Sequence, residues 1–202
     1  MPFEKVLIAV SVIVGIIMTA YMLYYVVIGL HFNKKIKPYP ETDKLNKFAI
    51  LIAARNEEAV IGELVHCLQD MDYPQSMYEI TVIPNNCTDD TKGAAIAAGA
   101  NIFEPKGVVK NKGDVLNQTL DAYMKRDDID AFVVFDADNI VDDQFLKEMN
   151  KAIVAGDLVA MGLRDSKNPT ETYMSSAYSV FYMAVNIFYN QPRRALGMNS
   201  LI

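Results

Sequence analysis

From Val6 to Leu30 the chain runs for 25 residues without a charge, mostly Val, Ile, Leu, Met and Tyr. A helix of that length reaches roughly 37 Å, longer than the ~30 Å hydrocarbon core of a bilayer, so it spans with some tilt. A cleaved signal peptide fits poorly, because its apolar stretch is usually ~7–15 residues and ends at small residues. Here Tyr21, Tyr24 and Tyr25 occupy the far end, where spanning helices carry an aromatic belt. Lys34, Lys35 and Lys37 follow at once, whereas the other side offers only Lys5, offset by Glu4. The positive-inside rule then predicts a single-pass protein of the cell membrane, N-terminus outside and residues 38–202 in the cytoplasm. Residues 1–30 are the expected transmembrane anchor.

The other 172 residues carry 18 basic and 24 acidic groups, an ordinary density for one soluble domain. The whole chain is at −6. It therefore lacks the clustered basic face that a phosphate backbone requires, and no nucleic-acid partner is expected. Two cysteines, Cys67 and Cys87, cannot staple a fold of this size, and His31 and His66 stand too far apart for a structural zinc site.

Residues 31–47, with Pro38, Pro40 and mixed charges, read as a linker. After it, strand-like and helix-like periods alternate. Phe48 to Ala54 is a continuous apolar run, the mark of a strand buried on both faces. Asn56 is positioned to cap a helix whose stripe is Val60, Ile61, Leu64, Val65 and Leu68. Tyr78 to Ile83 is a second strand. Thr88 is the expected cap of a short helix that ends at Gly99. Asn101 to Glu104 reads as a third strand, Gly113 to Lys125 as a helix with Val115, Leu116, Leu120 and Tyr123 inward. Ile129 to Phe135 is a further buried strand, followed by a helix marked by Phe145, Leu146, Met149 and Ile153. Leu158 to Leu163 reads as one more strand. This order implies an α/β fold: an open, mainly parallel sheet with helices on both faces, occupying residues 48–202.

The last segment has its own signature. Asn168, Pro169 and Glu171 look like a helix start, and Met174, Ala177, Tyr178, Phe181, Val185 and Phe188 then share one face. Such a stripe suits packing into a core or lying on a membrane surface. Packing is the favoured reading, because the polar face lacks the Lys and Arg that anionic lipid would attract.

In open α/β sheets, ligands bind outside the carboxyl ends of the strands. Three polar clusters fall there: Arg55-Asn56-Glu57-Glu58, Asn85-Asn86-Cys87-Thr88-Asp89-Asp90, and Asp136-Ala137-Asp138-Asn139. Two aspartates one residue apart, straight after a buried strand, repel unless a cation lies near. Oxygen ligands of this kind suit Mg²⁺ or Mn²⁺, which keep waters and bind substrate phosphates as well. The alternative is two solvated loop aspartates.

A leading apolar helix followed by FAILIAARNEE, NNCTDDT, NKGDVLN and VVFDADN, in that order, resembles the membrane-anchored family-two glycosyltransferases. Relatives of that group make cellulose, hyaluronan, chitin and poly-N-acetylglucosamine, or glycosylate lipids. The resemblance implies a GT-A-like fold, a nucleotide-diphosphate-sugar donor (a UDP-sugar above all), a sugar or lipid-linked acceptor at the membrane, and Mg²⁺ or Mn²⁺. It sets Ala54, Arg55 and Glu57 beside the nucleoside. The family's base-binding aspartate falls on Asn85, with Pro84 where a small residue is usual; an amide both donates and accepts. Lys112 lies beside the donor, Asp136 at the ribose or metal shell, and Asp138 on the metal.

The chemistry implied is displacement at the anomeric carbon with inversion, the metal acting as Lewis acid and a carboxylate taking the acceptor's proton. The family's later acidic motif and its Q-x-x-R-W are missing before Ile202, so no catalytic base is identifiable. The expectation is a C-terminally incomplete domain that binds donor and transfers poorly alone, with a nucleotide-sugar-binding accessory subunit as the alternative. A dehalogenase-type phosphatase would need Thr or Val where Ile140 stands. A sugar nucleotidyltransferase would need a Gly-rich loop after the first strand.

Overall fold

The computed structural model describes residues 3–107 and 109–199. Four strands form one parallel sheet: β1 (Phe48–Ala54), β2 (Tyr78–Pro84), β3 (Asn101–Ile102) and β4 (Ala131–Asp136), in the order β3-β2-β1-β4. The sheet belongs to a compact unit spanning Tyr39–Gly162. Because β1 is central and parallel-paired on both sides, every residue from Phe48 to Ile52 is buried.

Strand alternation divides the core in two. Phe48, Ile50, Ile52 and Ala54 face α2 (Ile61–Gln69), α3 (Thr91–Ala97) and α5 (Phe145–Val154), through Ile61, Leu64, Leu68, Ala95 and Leu146. Ala49 and Leu51 face α4 (Lys112–Tyr123) through Val115. The expected stripes on α2, α4 and α5 all turn inward.

Several expectations about boundaries are corrected. Leu158 to Leu163 is not a strand: no ladder pairs it, and Leu158 is 99% exposed. An apolar run reports that burial is favourable, but a strand also needs a partner edge. β4 is not buried on both faces either: it is an edge strand, and Phe132 and Val134 stay exposed. The third strand is only Asn101–Ile102. Gly99 does end α3, with φ at +90°, a left-handed turn that glycine adopts without steric cost. At the other end of this unit, Asn46, inside the expected linker, is buried: its backbone N–H donates to the Tyr73 hydroxyl at 3.1 Å and to Asn150 Oδ1 at 3.0 Å.

The second unit gathers Met1–Pro38 with Leu163–Ile202. Its first helix, α1 (Phe3–Gly29), is long and apolar enough to cross a membrane, and its most apolar window is unburied. The later helix starts at α6 (Tyr173–Val185), not at Pro169: Thr172 Oγ1 accepts from Ser175 N–H at 3.0 Å, and Ser175 Oγ accepts from Thr172 N–H at 2.9 Å. A π-turn at Asn186–Asn190 leads into α7 (Gln191–Ala195). Tyr189 stacks on Tyr25 at 5.0 Å, and the Arg193 guanidinium lies 5.9 Å from the Tyr24 ring and 5.0 Å from Tyr189. The expected core-facing stripe of α6 is overturned: Met174, Tyr178 and Phe181 are all more than half exposed.

Candidate functional site

The register of the sheet brings the three polar clusters together. Ala54 pairs with Pro84, and its neighbour Ala53 pairs with Asp136, so β2, β1 and β4 end side by side. Asn85 N–H extends the ladder by one bond to Ala54 O at 2.9 Å. Ala54 is buried beneath this edge, Arg55 is exposed, and Glu57 is half-buried.

The two nearer loops are clasped to one another. Asn56 was expected to cap α2 but has φ at +57°, and the helix begins only at Ile61. Asparagine enters this left-handed region more readily than most residues. Its Oδ1 instead accepts from Thr88 N–H at 2.8 Å. Glu57 N–H donates to Thr91 Oγ1 at 2.9 Å, Glu58 N–H to Asp89 Oδ2 at 3.1 Å, and Asp90 N–H to Glu58 Oε2 at 3.0 Å. The cap of α3 is Asp90, which accepts from Gly93 N–H at 3.0 Å, rather than Thr88. The Thr91 hydroxyl, donating at 2.5 Å, holds the Asp89 carboxyl below its ordinary value. Neither Asn56 nor Thr91 stood out in the sequence as part of this arrangement. The available signal was the asparagine itself, a residue suited to positive φ.

Asn85 carries an unusual feature: its side-chain Oδ1 is buried and has no hydrogen-bond partner. A buried acceptor left unmade costs about 1–3 kcal/mol. Asn86 next to it also has positive φ (+48°), and its amide donates to Val109 O at 3.1 Å, tying this loop to the chain before α4.

On the β4 side, the Asp-x-Asp turn is closed by Asn139, whose Oδ1 accepts from Asp136 N–H at 3.0 Å. Ala137 between the two acids is buried, while both aspartates are exposed. Lys112, the first residue of α4, forms an ion pair with Asp136. Its position follows from Asn111, which caps α4 by accepting from Asp114 N–H at 3.0 Å. The donor set fits Mg²⁺ or Mn²⁺: two exposed carboxylates and no nitrogen or sulfur ligand. Among the described residues no three acidic, His or Cys groups converge on a metal position. Such ions routinely take their remaining ligands from water and substrate phosphate.

All the residues singled out from the sequence, Ala54, Arg55, Glu57, Asn85, Lys112, Asp136 and Asp138, thus stand at or beside the carboxyl ends of β1, β2 and β4. Their edge combines a polar clasp, a buried acceptor without a protein partner, a lysine and an acidic turn.

Comparison with known proteins matches residues 46–196 to a family model described as "Glycosyltransferase like family 2". A beta-monoglucosyldiacylglycerol synthase of Nostoc sp. is 30% identical over 175 residues, covering 83% of this chain and 35% of that protein. The same enzyme of Trichormus variabilis is 31% identical, covering 74% of this chain and 32% of its own length. The chain therefore spans about a third of the length of these curated relatives. Among solved structures, a mannosyltransferase from Pyrobaculum calidifontis in complex with GDP-mannose and Mn²⁺ superposes with a TM-score of 0.61 at 18% identity. That alignment covers 86% of this chain and 48% of the mannosyltransferase, and supports the same GT-A-like fold.

Proposed function

The chain belongs to the glycosyltransferase like family 2, and on that premise we propose that it is the nucleotide-sugar-binding part of a membrane-bound glycosyltransferase acting on a lipid-linked acceptor. The observation that carries the reading is the register that pairs Ala54 with Pro84 and Ala53 with Asp136, and with them sets three polar clusters along one sheet edge. The relatives named as glucosyldiacylglycerol synthases favour a lipid acceptor over a growing polysaccharide.

In this reading a UDP-sugar lies across the edge. Arg55 and Glu57 flank the nucleoside, above Ala54, whose small side chain leaves the approach open. The unpartnered Oδ1 of Asn85 accepts an N–H from the base, which removes the cost of the buried acceptor. Asp138, with Asp136, holds Mg²⁺ or Mn²⁺; when bound, the ion neutralises charge on the leaving diphosphate. Lys112, already paired with Asp136, supplies a second positive charge on the diphosphate side. Departure of the diphosphate then accompanies attack by the acceptor hydroxyl with inversion at the anomeric carbon. The group that takes the hydroxyl proton is not assigned to any residue described. Helix α1 anchors the domain, which the lysines after it orient to the cytoplasm.

The test is titration calorimetry of the detergent-solubilised chain with UDP, UDP-glucose, UDP-N-acetylglucosamine, UDP-glucuronate and GDP-mannose, with Mn²⁺ and with EDTA. Metal-dependent binding of the uridine compounds is expected. Preference for GDP-mannose overturns the base assignment, and no binding by any nucleotide overturns the function.

A further inference from the structure

Helix α6 is apolar around most of its circumference and largely bare: besides the Met174–Tyr178–Phe181 stripe, Val180 and Met183, on the side of its serines, are also more than half exposed. The chain engages it through its few polar groups: Ser176 Oγ donates to Pro169 O at 2.7 Å, Ser179 Oγ to Asp165 Oδ1 at 2.9 Å, and just beyond it Asn186 Nδ2 donates to Arg164 O at 3.0 Å. The opposite face carries Met174, Tyr178 and Phe181 at helical spacing, exposed by 60%, 55% and 59%. Phe188, in the π-turn, continues the stripe and is half exposed. A soluble helix turns such a stripe to the core and its serines to water. A run of bare aromatic and Met side chains this long marks a surface that something apolar covers.

Two further observations identify what covers it. The first is continuity with α1. Tyr189 stacks on Tyr25, Phe188 meets Phe32 at 5.6 Å, and Gln191 donates to Phe32 O at 3.4 Å. The segment that follows α6 is thereby fixed at the tyrosine-rich end of the apolar helix, where an interfacial belt sits. The second is charge. The unit containing α1, α6 and α7 carries eight Lys and Arg against three Asp and Glu, whereas the sheet unit carries eleven against twenty-two. Seven of the eight, from Lys34 to Arg194, come after α1 in the chain. An acidic protein has therefore concentrated its excess of cations in the unit that holds the apolar helix and the bare stripe. Cations of that kind are attracted to the anionic headgroups of the cytoplasmic leaflet.

We propose that α6 lies in the headgroup region of the membrane, its Met174–Tyr178–Phe181 face sunk toward the acyl chains of an anionic phospholipid surface. The inference rests on the reading of α1 as a membrane span. It adds a second, reversible contact that fixes this unit against the bilayer, beyond the tether that α1 alone provides.

The chain has no tryptophan, so a single introduced indole reports cleanly. Phe181→Trp and Tyr178→Trp place the reporter on the stripe, Tyr21→Trp in α1, and Leu158→Trp on an exposed position of the sheet unit. The full chain is reconstituted in vesicles of phosphatidylcholine with a minority of phosphatidylglycerol, with and without acyl-brominated lipid. Emission from positions 178 and 181 is expected to be blue-shifted and to be lost to bromine to an extent comparable with position 21, with no loss at position 158. Loss at 21 with water-like, unquenched emission at both 178 and 181 overturns the proposal while leaving the span intact. Blue-shifted emission at both that bromine does not reach means that protein, a second copy included, covers the face, and also overturns it. No loss at 21 overturns the span itself, and with it the ground for this inference.

Discussion

Replacing Asn56 with alanine removes two features at once, and their separate sizes can be worked out. The Oδ1 acceptor that holds Thr88 N–H at 2.8 Å is lost, a net hydrogen bond of about 0.5–1.5 kcal/mol. Because Asn56 is exposed, water replaces it on the Thr88 amide, which favours the lower half of that range. The backbone stays at φ +57°, where a side chain with a Cβ and no local polar compensation costs roughly 1–2 kcal/mol. Asn56→Ala should therefore lose about 1.5–3 kcal/mol. Asn56→Gly loses the same acceptor but relieves the backbone, and should cost only about 1 kcal/mol. Asn56→Asp retains the acceptor and should stay near the parent. Urea unfolding of the detergent-solubilised chain, followed by tyrosine fluorescence, measures these as midpoint shifts at constant slope. Calorimetry with UDP and Mn²⁺ then reads the consequence for the site. A loop freed from its clasp must be ordered by the ligand, so affinity should fall by roughly fivefold in Asn56→Gly and recover in Asn56→Asp. Glycine and alanine variants of equal stability would refute the backbone argument. A glycine variant with parental stability and affinity would refute the clasp.

Asp138→Asn should weaken Mn²⁺-dependent UDP binding more than Asp136→Asn, because Asp136 is already partly neutralised by Lys112; unchanged binding in both variants and in EDTA would refute the metal assignment. Asn85→Ala removes a buried, unpartnered acceptor, so the unliganded protein should be as stable as the parent or more so, while UDP affinity drops about tenfold. Leu146→Ala empties part of the core under β1 and should cost about 2–5 kcal/mol in the same unfolding assay. Acid stability follows from Asp128, held well below the ordinary 3.8 by Arg126 and Lys47, and from Asp89 and Asp72, lowered by Thr91 and Lys147. Their unfolded forms bind protons first, so stability is fully present above that ordinary value and falls as pH drops below it. A pH titration of the urea midpoint that stays flat to pH 2 would contradict this.

Residue order alone determined a good deal of this protein. The uncharged run before His31, the continuous apolar segment Phe48 to Ala54, and the stripes on α2, α4 and α5 are local patterns, and each became the element that its period implied. The placement of the polar clusters was equally legible, because all three follow strands, and parallel strands end on the same side of the sheet. What the tertiary structure decided is partnership. Asn56 and Thr88 have the composition of helix caps, but a loop across the sheet edge claimed Asn56 Oδ1 and a left-handed backbone took the place of the cap. Leu158 to Leu163 has the composition of a strand and finds no ladder, and Phe132 and Val134 stay exposed on the edge strand. The stripe on α6 reads as core, yet its serines hold the chain and its aromatics stand bare. Periodicity records that one face of an element is apolar. Which surface covers that face depends on register and contacts between residues a hundred positions apart, and those exist only once the chain has folded.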